Sequence, residues 1–94
     1  MSPPSIPHIQ RVIPDANFVG AAVEIHGTGF APRANDNVVT FAGIAAVLLS
    51  ASAERIVAQV PLGATTGLIF VTTHGHTAHS PGTFVVYGTT EPGP

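Results

Sequence analysis

The chain has 94 residues, of which 45% are hydrophobic and only 9% charged, with a net charge of −2 and no cysteine. A chain of this size forms one domain with a single core, and its low charge is the opposite of what disordered chains show. There is no lysine and there are only three arginines, so no basic stripe neutralises phosphates and we expect no nucleic-acid binding. Without cysteine, disulfides and thiol chemistry are excluded.

The first seven residues contain three prolines, and they predict an extended arm at 1–7. They lack the basic head and apolar middle of a signal peptide, so either the chain is not exported by that route or it is a processed or excised form. No run reaches the length of a membrane helix, and we expect no membrane insertion.

The first strand is predicted over His8–Ile13, where a proline on either side places it at a sheet edge. Ile9 is expected to point inward, and Ile13 is a second candidate for the same face. Pro14–Asn17 has the composition of a turn.

The chain is organised around the stretch Val23–Phe30. Its first residues alternate between apolar and polar side chains, which is the period of a half-buried strand. Gly27 and Gly29 then permit a backbone path that side chains would block, and Phe30 folds back onto the apolar face.

Residues 44–53 are ambiguous, because their apolar residues also have near-helical spacing. We favour a strand at Ala45–Ser50, since helix propensity is a weak prior and every neighbouring segment is a strand. His74–Gly75 is a candidate two-residue hairpin turn, after which the chain pairs back. Further strands are predicted at 38–42, 55–60, 68–73 and 84–87.

About seven short strands separated by turn residues predict an all-β fold, an antiparallel β-sandwich. The alternation also predicts its core. The predicted core residues are Val23, Ile25, Phe30, Val39, Phe41, Ile56, Ala58, Val60, Ile69, Val71, Phe84 and Val86.

An ordered set of motifs resembles the IPT/TIG domain, the immunoglobulin-like module of plexins, some transcription factors and many bacterial surface proteins. The motifs are Gly20-x-x-Val-x-Ile-x-Gly-x-Gly-Phe, Asn37-x-Val-x-Phe-x-Gly, Ile56-x-Ala-x-Val-Pro, Thr66-Gly67-x-Ile-x-Val-Thr-Thr and Phe84-x-Val. The resemblance implies an immunoglobulin-like fold at 8–87, after the arm and before a polar tail at 88–94. It brings no catalytic residues, and it allows a cell-surface or particle-associated setting.

Three histidines form the one pattern that suggests a metal, because His74, His76 and His79 lie within six residues. In the predicted hairpin, His76 pairs with Thr73 and His79 with Phe70. The last two histidines then lie on opposite faces of one strand. The pattern therefore favours turn and surface histidines, and we expect no metal or other cofactor.

No catalytic set emerges, and we expect no enzyme activity. Ser80 lacks a Gly-x-Ser-x-Gly elbow, and the five acidic residues are scattered. The pair Gly27 and Gly29 lacks the lysine and following helix of a phosphate-binding loop. Asn35–Asn37 offers a single carboxylate, which is typical of a turn or cap and makes a poor calcium site.

The alternation of inward and outward side chains along the strands predicts a row of exposed apolar residues on the outer face of the final hairpin. If Ile69 and Val71 are buried, the alternate residues of that strand point outward, and the same parity holds for the last strand. An alternative register would bury them instead, but contiguous apolar patches tend to mark contact sites. The predicted interface residues are Leu68, Phe70, His79, Val85, Tyr87 and Val38.

These features predict a non-enzymatic structural or protein-interaction module that spaces or docks parts of a larger assembly. Its partner would be another protein or a copy of itself. Two alternatives are open: a decoration or assembly subunit of a phage-like or virus-like particle, and a ligand-binding module, for example for carbohydrate, of an enzyme or surface protein. Carbohydrate platforms generally need exposed rings, and with no Trp and one Tyr the last alternative has little sequence support.

Overall fold

Ten short strands and one turn of 3₁₀ helix follow one another along residues 6–87, the part of the chain that the computed structural model describes. The predicted tail at 88–94 and the first five residues of the predicted arm lie outside the described residues. The strands are β1 (His8–Ile13), β2 (Ala16–Phe18), β3 (Ala22–Thr28), β4 (Asn37–Phe41), β5 (Ile44–Ala45), β6 (Val47–Ala51), β7 (Arg55–Gln59), β8 (Ile69–Thr73), β9 (His76–His79) and β10 (Val85–Tyr87), and the 3₁₀ helix is Ala34–Asp36.

Two antiparallel four-stranded sheets form the sandwich, in agreement with the predicted all-β, immunoglobulin-like fold. The first sheet has the order β1-β3-β7-β6, and the second has the order β5-β4-β8-β9. One pairing departs from the antiparallel prediction, because β10 pairs with β2 in parallel.

β10 continues the second sheet on the same side of β8, and of the residues just before β8, as β9 does. The N–H of Ser80, just after β9, donates to the Ile69 carbonyl at 2.8 Å. Two residues earlier, Gly67 exchanges two backbone hydrogen bonds with Phe84, just before β10. Because backbone groups alternate sides along a strand, β9 and β10 follow one another on one edge, and β2 extends the sheet beyond β10.

All twelve predicted core residues are buried between the two sheets. The rings of Phe41 and Phe84 meet edge to face, with centroids 5.3 Å apart. Two small residues that were not predicted, Ala31 and Ala64, are buried as well. Alternation within the strands, together with the family pattern, therefore identified the large core residues.

A β-bulge in β1 makes the prediction for Ile13 wrong. The register with β3 shifts between Ile9 and Arg11, and the extra residue exchanges the faces of the residues that follow. Ile9 is buried as expected, but Val12 packs against the core and Ile13 is 44% exposed.

The predicted strand at Ala45–Ser50 is divided between the two sheets. β5 pairs with β4 in the second sheet, whereas β6 pairs with β7 in the first. Between them, the Ala46 N–H donates to the Val39 carbonyl at 2.8 Å. The choice of strand over helix is confirmed, but the single continuous strand is wrong because the chain crosses the sandwich at this point.

Two glycines allow β1 and the residues before it to lie close to β3. A Cβ at Gly27 would strike the His8 carbonyl and the Phe30 ring. Gly29 has φ +78°, and a Cβ there would strike the Ile6 carbonyl. Gly27 and Gly29 therefore have a structural role, and Phe30 folds back into the core as predicted.

Candidate interaction surface

The second sheet and β10 carry no Asp, Glu, Lys or Arg in any of their strands. The charged residues of the described chain lie instead in β1, β3 and β7 and in the connecting segments. The low charge of the chain is thus unevenly distributed, and one whole sheet has only apolar, threonine, asparagine and histidine side chains.

The outward positions of this sheet carry large apolar side chains. We call them the outer face, which comprises the outward residues of β4, β8, β9 and β10. Phe70 lies between Thr40 and His79 in the strand register, and the centroid of its ring is 6.4 Å from that of the His79 ring. The four large apolar residues of the outer face are 36% to 54% exposed: Val38, Phe70, Val85 and Tyr87.

An exposed aromatic residue that the sequence did not predict joins the outer face. Phe18 of β2 is 60% exposed, and the centroid of its ring is 5.4 Å from that of Tyr87. The parallel register aligns these two residues directly. The sequence suggested only a turn before Phe18, and nothing local to β2 indicates that it pairs with the far end of the chain.

Leu68 is predicted to be exposed, but in the structure it is half-buried. Its carbonyl accepts a hydrogen bond from the Ala42 N–H at 3.1 Å, and the preceding Gly67 bonds to Phe84 on the other side. The segment is therefore flanked on both sides, which reduces the outward surface of Leu68. Leu68 is therefore not one of the exposed large apolar residues of the outer face.

The chain matches the IPT/TIG domain family over residues 7–86, which is most of its length. It belongs to the IPT/TIG family. Members of this family are generally non-catalytic modules. The comparison with curated proteins gave no match.

Solved structures share the fold of this IPT/TIG domain. An auxiliary nutrient binding protein from Bacteroides thetaiotaomicron matches with a TM-score of 0.83 at 18% identity, over 92% of this chain and 22% of that one. The gamma-CGTase of the alkalophilic Bacillus clarkii matches with a TM-score of 0.75 at 30% identity, over 92% of this chain and 13% of that one. The extracellular region of plexin A4 matches with a TM-score of 0.75 at 21% identity, over 87% and 10%. The chain therefore spans about a fifth or less of these proteins.

The histidine hairpin of the domain is built as the sequence predicted. His74 and Gly75 have φ of +51° and +82°, which is the turn geometry of a two-residue hairpin. His76 pairs with Thr73 and His79 with Phe70, so these two side chains lie on opposite faces. The Nδ1–H of His79 donates to the Ser80 carbonyl at 2.8 Å. Among residues 6–87, no group of three metal-ligating side chains comes together.

Asn37 is a structural residue with all its amide groups in use. Its Oδ1 accepts from the Ala31 N–H at 3.0 Å and from the Thr73 hydroxyl at 2.7 Å. Its Nδ2 donates to the carbonyls of Ala31 and Arg33 at 2.9 and 3.2 Å. The Asn35–Asn37 segment therefore anchors the loop before β4, in agreement with the predicted turn or cap.

The hydroxyl of Ser80 likewise has only backbone groups as its hydrogen-bond partners. Its hydroxyl accepts the Ile69 N–H at 3.1 Å and donates to the Gly82 carbonyl at 2.7 Å. The side chain is buried and holds the junction between β9 and β10. Its neighbour His79 donates to a carbonyl rather than to this hydroxyl, so the two residues do not form a nucleophile and base.

The outward side of the first sheet is mixed, because it carries charged side chains and also exposed apolar residues of β6. The register places His26 between Arg11 and Arg55 across three strands, and its Nε2 lies 3.0 Å from the Glu24 carboxylate. Charged groups are thus concentrated on the first sheet. In the described part of the chain, no helix is long and apolar enough to span a membrane.

Proposed function

We propose that this IPT/TIG domain is a non-catalytic interaction module that docks a neighbouring protein surface through its outer face. One observation carries the proposal: the second sheet has no charged residue, while its outward positions expose Val38, Phe70, Val85 and Tyr87. Scattered exposed apolar residues are common on proteins, but several on one uncharged sheet face are the composition of a contact site.

Docking on this face has a low desolvation cost, because no ion has to leave water. Its polar side chains are partly paired within the sheet already, since the hydroxyls of Thr72 and Thr77 are 2.8 Å apart. Phe70 is 36% exposed, so burying the rest of its ring would contribute about a third of the value for a fully exposed side chain, or roughly 0.5–1 kcal/mol. The apolar gain at Phe70 is therefore not offset by the desolvation of a charged group.

The size of the face favours a partner that is held nearby. With β2 included, the strands of the outer face occupy four lateral positions, because β9 and β10 share one edge. At a spacing of about 4.8 Å and a length of roughly 17 Å, they give a face of about 330 Å². A stable complex of free proteins covers about 800 Å² on each partner. Interfaces between domains of one chain are often smaller and more transient, and the solved relatives carry this module as a small part of a longer chain.

A second candidate is a ligand-binding module attached to an enzyme. The match to gamma-CGTase at 30% identity supports it, and the adjacent rings of Phe18 and Tyr87 offer the exposed aromatic surface that the sequence had not indicated. The planes of the two rings are inclined by 50° to each other, so the rings do not form one flat surface. The alternative of a particle subunit stays a prediction.

Docking can be tested with a second copy of the chain as the probe partner, because an uncharged apolar face is complementary to itself. Amide chemical shifts are recorded from micromolar to millimolar protein. We expect concentration-dependent shifts that map to β4, β8 and β10, and that are lost when Phe70 and Tyr87 are both replaced by Thr. A matched control replaces Val47 and Leu49 by Thr, since these residues of β6 are at least as exposed but lie in the first sheet.

Absence of shifts at millimolar protein, or shifts centred on β6, would contradict the docking proposal. Tyrosine fluorescence separates the second candidate, because Tyr87 is the only tyrosine and the chain has no tryptophan. A saturable change in its emission with soluble oligosaccharides, lost when Phe18 is replaced by Ala, would favour ligand binding. No change across the oligosaccharides would exclude Tyr87 from such a site.

A further inference from the structure

β9 differs from the other free strand edges of the described sandwich, which are each protected against further pairing. β1 has a bulge and carries Arg11, and β6 has a bulge between Leu48 and Ser50. β5 has two residues and β2 has three. β9 pairs with β8 at all four of its residues without a shift, and contains neither proline nor a charged Asp, Glu, Lys or Arg. Edges without such protections are the ones that accept another strand.

The register shows which backbone groups of β9 are available. The Ser80 N–H donates to Ile69, and in an antiparallel pair every second residue directs its N–H and C=O toward the partner strand. The groups of Ala78 and His76 therefore point toward β8. Those of Thr77 and His79 point away from it, and within residues 6–87 no strand pairs with this side of β9.

A groove lies beside this edge, between β9 and β1. Its volume is about 430 Å³, and it is partly open to solvent. Both strands and their flanks line it, with the apolar Pro7, Ile9, Ala78 and Pro81 beside the polar His8, Thr77 and His79. An added strand would thus meet backbone donors and acceptors at the edge and a partly apolar surface for one row of its side chains.

The length of the edge decides between possible occupants. Four residues span roughly 14 Å, and pairing over this length covers far less than the roughly 800 Å² per partner that a stable dimer needs. A second copy is a whole folded domain and gains only this short pairing. A flexible segment can pair with β9 and also insert a side chain into the groove, which is how sheet-edge peptide sites combine affinity and specificity.

We propose that the edge of β9 is a peptide-binding site, which takes an extended, uncharged segment with alternating small apolar side chains as an added strand. The backbone groups of Thr77 and His79 hydrogen-bond to the segment, and the groove beside Ile9 and Ala78 receives its apolar side chains. This site lies at the edge of the second sheet, so it does not depend on docking through the outer face.

The experiment uses the full chain, labelled for amide chemical shifts, and a blocked peptide of alternating Thr and Val as the probe. We expect saturable shifts centred on β9 and on Ile9 at millimolar peptide. The same peptide with every amide nitrogen methylated cannot donate hydrogen bonds and should give none. Thr77→Pro removes an outward N–H at a position where edge strands tolerate proline, and it should weaken binding about tenfold, the equivalent of one hydrogen bond.

The matched control is Thr77→Val, which keeps the backbone N–H but loses the same hydroxyl contact to Thr72. It should bind the peptide like the parent. Equal binding by the methylated peptide, or equal weakening by both Thr77 variants, would overturn the backbone pairing. Concentration-dependent shifts of the Thr77 and His79 amides without peptide, if they persist when Phe70 and Tyr87 are both replaced by Thr, would show a second copy on the edge. That result would overturn the peptide as its occupant.

Discussion

The hydrogen-bonding role of Asn37 leads to a quantitative prediction for Asn37→Ala. The substitution leaves the Ala31 N–H and the Thr73 hydroxyl without their acceptor, and both residues are almost completely buried. A buried polar group without a partner costs about 1–3 kcal/mol, so the two together should lower the free energy of unfolding by about 2–6 kcal/mol. For a domain of this size that is a large part of a total stability of roughly 5–14 kcal/mol.

Urea denaturation of the parent and the variant measures this loss. A double-mutant cycle with Thr73→Val identifies its cause, because valine has no hydroxyl to leave unsatisfied. We expect Asn37→Ala to cost at least about 1 kcal/mol less in the Thr73→Val background than alone. A cost below about 1 kcal/mol, or strict additivity of the two substitutions, would refute the role of this side chain.

Three further predictions concern the core, the close approach of two strands, and the histidines. Phe41→Ala and Phe84→Ala should each lower stability by about 3–5 kcal/mol, and their effects should not add because the two rings are in contact. Urea midpoints of the single and double variants measure this, and additive losses would contradict the contact. Gly27→Ala should destabilise at least as much as a core truncation, since its Cβ has no space against the β1 backbone; a melting temperature near that of the parent would show that the strands can separate at little cost. Zinc titration calorimetry should show no tight stoichiometric binding, because His76 and His79 point to opposite faces; tight binding lost on changing both residues would show that a site exists.

The sequence determined the properties that depend on neighbouring residues. Alternation along a strand decides which side chains share a face, and it identified large core residues such as Phe41 and Ile69. The turn at His74–Gly75 was predictable because a two-residue hairpin needs positive φ, which glycine adopts at low cost. The outward positions of Phe70 and Tyr87 follow from the same local rule.

Only the tertiary structure decided the features that depend on segments far apart in the sequence, or on an interruption of the alternation along a strand. The bulge before Arg11 exchanges the faces of the residues after it, and nothing in the local pattern marks where an extra residue enters. The pairing of β2 with β10, which brings Phe18 against Tyr87, joins opposite ends of the domain, and alternation carries no information about which strands become neighbours. The open edge at Thr77 exists for the same reason, since a strand is an edge only when the rest of the fold leaves one of its sides without a partner.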